Sequence, residues 1–214
     1  MTSAREAIFA AINTPARPQP EIAREARALL DRVPALRPDR VSGNLADAFF
    51  ARVTGPVIGA SGARVATMGD VPDAVRAYLS AHDLTARVAL QPQPTLLGLN
   101  WADIATHRDI AVDEPVAVGM AAYAVAETGS LVFRSGSDTP TLFAFLPLHH
   151  IVVVRAESVM AWLEDCAAAE AMQPAPRNLN LVTGASGTTD IEGALVRGAH
   201  GPGYLHIVLV QSPL

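Results

Sequence analysis

Apolar positions change their spacing twice along the chain. In the first quarter they recur at helical intervals. Ile8, Phe9 and Ile12 share one side of a segment over residues 3–12, and Ile22, Ala26, Leu29 and Leu30 share one face of Glu21–Val33, with arginines opposite. Pro15 to Pro20 break the first helix from the second, and Pro34 and Pro38 end the second. A third helix is predicted over Asn44–Val53, capped by Ser42 or Asn44. This quarter reads as a helical arm and linker, residues 1–54, of the kind that covers a core or pairs subunits into a homo-oligomer.

Beyond residue 55 short β-branched runs alternate with helical stretches. Val57–Ala60, Arg64–Thr67 and Ala86–Leu90 are strand candidates, and Pro72 opens a helix that runs to about His82. Gln91–Leu99 is a proline-containing loop and, with Trp101, resembles a lid or rim. Ala121–Ala126 and Ser130–Arg134 are strands joined by a hairpin or tight kink at Glu127-Thr128-Gly129. Ile151-Val152-Val153-Val154 is a strand buried on both faces. A helix over Ser158–Met172, a strand over Asn178–Thr183, a helix over Thr189–Arg197 and a strand over Leu205–Val210 complete the pattern. Alternating strands and helices predict an α/β domain over residues 55–214, a largely parallel sheet flanked by helices.

Composition narrows the chemistry. The 214 residues carry a formal net charge of −5, against a general nucleic-acid binder. All sixteen basic residues are arginine. Without lysine there is no Schiff-base or Walker-type chemistry, and arginine alone can hold an anion permanently. Cys166 is the single cysteine, so the chain cannot hold an iron–sulfur cluster by itself, and no His/Asp/Glu pattern predicts a metal site. No apolar run is long enough to insert in a membrane and the N-terminus lacks a signal-peptide core, so the expected location is the cytoplasm.

Two glycine-marked segments carry the candidate chemistry. In Ala126–Ser137, Glu127 sits between apolar strands beside Thr128 and Gly129, as an acid, base or nucleophile would at a strand end. The competing reading is a hairpin turn whose carboxylate binds nearby backbone or Arg134. In Gly184–Gly203, a strand passes through Gly184, Ser186, Thr188, Thr189 and Asp190 into the predicted helix. Thr189 and Glu192 match a capping box, and free N–H groups at such a helix start attract anions. The competing reading is simply a capped helix. His200, between glycines, is accessible to a ligand or partner. Of the adjacent His149 and His150, one faces a cleft and the other is structural, because neighbouring strand residues point to opposite faces.

In this order, Ala126–Val132, Leu146–Val154, Thr188–Glu192, Leu195–Pro202 and Leu205–Val210 resemble the LUD-domain family, specifically its lactate-utilization protein C branch. The resemblance implies a fold like that of ribose-phosphate isomerases and CoA transferases. It also implies a role in oxidising lactate to pyruvate, alongside partner subunits that carry the iron–sulfur clusters. Because CoA transferases use a nucleophilic Glu in a similar turn, Glu127 is the implied catalytic candidate and acyl transfer the alternative function. A purely structural or regulatory subunit is the third. A small anionic ligand is implied between the Glu127 turn and the Thr188 loop. Gly187 stands where the family often has an arginine, and Arg134, Arg155 and Arg197 are available to replace that charge.

Overall fold

The computed structural model describes residues 3–12, 18–32, 41, 43–189 and 195–211. It divides into two units, Met1–Arg40 and Val41–Leu214. The first contains α1 (Ala4–Ile12) and α2 (Gln19–Leu30), with Ile8, Phe9, Ile12, Leu29 and Leu30 exposed. Pro34 and Pro38 lie outside the described residues.

The second unit starts earlier than the sequence boundary at residue 54, because α3 (Leu45–Thr54) belongs to it. The Asn44 side chain accepts from the Asp47 N–H at 3.1 Å and satisfies a free donor of the first turn. Ala46, Phe49 and Val53 are buried. Fully burying a side chain such as Phe49 contributes roughly 1.5–3 kcal/mol, enough to fix this helix to the core.

Six strands form the main sheet: β1 (Ser61–Val65), β2 (Arg87–Leu90), β3 (Ala105–His107), β4 (Val116–Met120), β7 (His149–Arg155) and β12 (Tyr204–Val210). Their order is β1-β12-β7-β4-β2-β3, and every neighbouring pair is parallel. Central strands β4 and β7 are covered on both faces, which explains their nearly continuous apolar sequences. On one face pack α4 (Val71–Ala81) and the single-turn α5 (Pro94–Leu97), through Val75, Leu79 and Leu96.

On the opposite face pack α3 and a second, four-stranded sheet. That sheet contains β5 (Tyr123–Val125), β6 (Ser130–Arg134), β8 (Val159–Met160) and β9 (Leu179–Val182), in the order β8-β5-β6-β9. The Glu127 turn is a true hairpin, with Tyr123 opposite Val132 in antiparallel register. The outer face of this sheet is covered by α6 (Leu163–Ala171), through Cys166 against Val125 and Val132.

Three sequence expectations change. Val57–Ala60 is a turn after α3, and Ile58 packs there under two glycines. The helix expected from Ser158 starts only at Leu163, because Val159 and Met160 pair with β5. Of the helix expected over Thr189–Arg197, the described residues form strands instead, in an antiparallel pair of β10 (Gly187–Thr189) and β11 (Leu195–Arg197) with Thr188 opposite Val196. Thr188, Thr189 and Val196 are β-branched and suit a ladder better than a helix. Asp190 and Glu192 lie outside the described residues.

Candidate functional site

The two glycine-marked segments meet at one end of the small sheet. Strand β6 pairs with β9, which places Leu131 opposite Val182 and brings Thr183 beside Ser130. The Thr128 hydroxyl donates to Ser130 Oγ at 2.7 Å, and Ser130 Oγ lies 2.5 Å from Thr183 Oγ1. Gly129 and Gly184 both have positive φ, +72° and +97°. A β-carbon on Gly129 would stand 2.5 Å from Ile58 Cδ1, and one on Gly184 would stand 3.2 Å from Ile58 Cγ2. Glycine is therefore required at both positions by conformation and by the packing of Ile58. Glu127 is half-buried, its N–H donates to the Ala161 carbonyl at 3.1 Å, and Thr128 is exposed.

The other described candidates, Ser186, Thr188, Thr189 and His200, lie on or beside the β10–β11 pair. The Ser186 N–H donates to Pro202 O at 2.7 Å, and its carbonyl accepts from Gly198 N–H at 3.1 Å, which ties Ser186 to the loop containing exposed His200. Thr188 is exposed on β10 and Thr189 ends that strand. The described ends of this segment are strands, so they offer no helix start to an anion.

A cleft opens elsewhere, at the carboxyl end of the main sheet. Strands β2 and β4 are neighbours there, and the chain leaves them toward opposite faces: into α5 after β2 and into the small sheet after β4. Divergent connections of this kind leave a crevice beyond the strand ends, where ligands bind in open α/β sheets. The cleft has a volume of about 230 Å³ and is lined by Gln93, Thr95, Met120, Arg134, Asp138 and Arg155, among others. Arg134 is fixed by Glu170, 2.7 Å from its Nε, and by the Pro174 carbonyl at 2.6 Å. Arg155 is held less tightly, 3.4 Å from Glu157. Two of the three arginines available for an anion therefore share this cleft, whereas Arg197 lies on β11.

Beneath the cleft is a recess of about 10 Å³ lined by His150, Gln91 and Asn180, sharing Phe133, Arg134 and Thr139 with the cleft above. His150 is 1 % exposed, stacks on Phe133 with ring centroids 5.6 Å apart, and neither ring nitrogen has a hydrogen-bond partner among the described residues. Burial holds its pKa down at about 4, so the ring is neutral. Gln91 Oε1 accepts from the Met120 N–H at 2.7 Å. A β-carbon on Gly119 would stand 3.1 Å from His150 Nε2 and 3.2 Å from Gln91 Oε1, so this glycine makes room for both side chains. Sequence reasoning placed one of His149 and His150 at a cleft but missed Gln91 and Gly119 as its companions. A glycine inside an apolar strand was the available signal.

His149 takes the opposite face. Its Nδ1 lies 2.8 Å from the Tyr78 hydroxyl, and its ring stacks on Tyr204 with centroids 4.4 Å apart. With His82 and His206 it forms an aromatic cluster at the amino end of β7 and β12. Ser61 Oγ meets His206 Nδ1 at 2.8 Å. Burial, with a smaller effect from His82, holds His206 down at about 4. Among the described residues, no group of three or more His, Cys, Asp or Glu is arranged to hold a metal ion.

Comparison with known proteins follows the same segments. Residues 98–210 match the sequence profile of the LUD domain. Lactate utilization protein C of Geobacillus thermodenitrificans is 32% identical over 99 residues, which cover 44% of this chain and 41% of that protein. Lactate utilization protein C of Deinococcus radiodurans is 31% identical over 107 residues, covering 49% of this chain and 50% of that protein. The chain thus spans about half the length, or less, of these curated relatives. A crystal structure of a DUF162-family protein from Deinococcus radiodurans superposes with a TM-score of 0.56 at 21% identity, covering 78% of this chain and 96% of that one. That likeness concerns the fold.

Proposed function

Because the chain belongs to the LUD-domain family, we propose that it serves lactate utilization as a cluster-free subunit, working in the cytoplasm beside partner subunits that carry iron–sulfur clusters. The observation that carries this reading is the extent of the family match. Residues 98–210 include the Glu127 turn, the Gly184 segment and the strands that bring them together. The names of the relatives supply the lactate context.

The chain's own residues agree with a division of labour. Cys166 is buried, and burial pushes its thiol up to about 11, away from the thiolate form that ligates iron. Among the described residues no helix is long and apolar enough to cross a membrane. In this reading the Glu127 turn, with exposed Thr128, is the docking face for a cluster-bearing partner. An exposed side chain at the turn supports contact with a partner better than an enclosed small ligand. Acyl transfer through Glu127 has weaker support, because the arginine-lined cleft does not include Glu127.

Deletion of the gene in a strain without paralogues is expected to impair growth on L-lactate while leaving growth on glucose intact. Purification of the full chain from its host is expected to recover cysteine-rich partners, and Glu127→Arg is expected to lose them. Normal growth on lactate after deletion would reject the proposal.

A further inference from the structure

We propose that the cleft at the carboxyl end of β2 and β4 binds a small carboxylate carrying a hydrogen-bond donor on the adjacent carbon, with Arg155 holding the carboxylate and Asp138 accepting from the donor. This site is separate from the Glu127 turn. Strand β6 runs from the turn to the cleft, and its four steps from Ser130 to Arg134 span about 13 Å at ~3.3 Å per residue.

Four observations define the ligand. First, the cleft lies where the connections after β2 and β4 diverge, so it follows from the topology of the sheet. Second, its volume of about 230 Å³ falls below the ~300–1,000 Å³ typical of sites for drug-sized ligands, which points to a molecule of a few carbons. Third, the wall carries both signs of charge. Arg134, Arg155 and Asp138 line one space, with Gln93 and Thr95 adding neutral polar groups. A simple anion such as phosphate would meet Asp138 unfavourably. A carboxylate with a neighbouring hydroxyl or ammonium group uses both. Fourth, the recess that adjoins the cleft through Phe133, Arg134 and Thr139 holds His150, 1 % exposed and with both ring nitrogens unpartnered among the described residues. A polar side chain buried without partners is costly to maintain, and a polar ligand in the adjoining cleft gives it a reason to be there.

The two arginines have different roles. Arg134 already bonds Glu170 and the Pro174 carbonyl, joining β6 to the end of α6, and forms a fixed wall. Among the described residues Arg155 makes one looser contact, with Glu157, and is the group able to turn onto a ligand. Glu157 and Glu170 offset part of the positive charge, which favours a ligand that brings its own donor over a bare anion.

A 2-hydroxy acid and a 2-amino acid share the required chemistry. Titration calorimetry on the purified full chain would use L-lactate, L-alanine, pyruvate and propionate, which share a carbon skeleton and differ at the second carbon. L-lactate or L-alanine is expected to bind at least about tenfold tighter than propionate and pyruvate. The tighter of the two identifies the source of the donor. Arg155→Gln is expected to weaken that binding about tenfold or more, and Asp138→Asn to reduce the preference over propionate. Thermal melts of both variants check that they fold. Absence of heat with all four compounds, equal affinity for propionate, or unchanged binding in folded Arg155→Gln would overturn the proposal. The choice of probes rests in part on the lactate reading. Growth on lactate and binding by the isolated chain are independent measurements, so either proposal can fail alone.

Discussion

The β5–β6 hairpin has two ends, and they differ in what their residues are for. At the turn, Gly129 and Gly184 close on Ile58, and three hydroxyls bond one another. The space that glycine leaves there is filled by protein. At the other end, Arg134 reaches a cleft between diverging strand connections, and Gly119 makes room beneath it for two buried polar side chains. A glycine-rich motif thus marks close packing at one end and a ligand-sized space at the other. Residue types alone cannot separate the two, because both begin with a missing β-carbon.

The largest expected effect comes from acid. His150 and His206 are held at about 4 by burial, below the ordinary 6.5, and His149 is shifted in the same direction. The unfolded chain therefore takes up protons first. The stability that these neutral rings contribute is complete above pH 6.5 and is lost as pH falls toward 4. Each fully shifted histidine costs roughly 1.4 kcal/mol per pH unit across that window. Urea unfolding at pH 7.5, 6 and 5 is expected to show this slope, and His150→Phe, which replaces the titrating imidazole with a ring that takes up no proton, is expected to flatten it. A stability independent of pH would show that these rings are not buried as described.

Next in size is the turn itself. Gly129→Ala combines a positive φ with a contact of 2.5 Å to Ile58. Strain and overpacking together are expected to cost about 2–4 kcal/mol, and Ile58→Ala in the same chain should recover part of that loss. If Gly129→Ala melts like the parent chain, the glycine is not there for packing. Gly119→Ala, at 3.1 Å from His150 Nε2, is expected to cost less, about 1–3 kcal/mol. It should also weaken ligand binding at the cleft, which Gly129→Ala should not.

The smallest expected effect is on Glu127, which is half-buried and makes no side-chain hydrogen bond among the described residues. Glu127→Gln is expected to change stability by less than about 0.5 kcal/mol in thermal melts and to leave carboxylate binding by the isolated chain unchanged. A loss of binding would move the ligand site back to the turn.

What the sequence showed depended on range. Ile151–Val154 and the Glu127 hairpin were legible because period and turn chemistry are local. The Asn44 cap was legible for the same reason. The segment from Thr189 was misread because a threonine followed three residues later by glutamate matches a capping box, while the same β-branched residues suit a strand, and only the pairing of Thr188 with Val196 decides between them. Among the candidate residues, the structure gathers Thr128, Gly129 and Gly184 at one place and Ser186 with the His200 loop at another. The cleft was hidden because Gln91, Gly119, Arg134, His150 and Arg155 converge only once β4 is seated between β2 and β7.

The separation of the two ends can be tested by backbone amide chemical shifts of the full chain titrated with whichever of L-lactate and L-alanine binds more tightly. The largest shifts are expected at Thr95, Met120–Ala122 and Arg155, with residues 127–129 and 184–188 nearly unmoved. Shifts concentrated at the turn and the Gly184 segment, with the cleft silent, would contradict it.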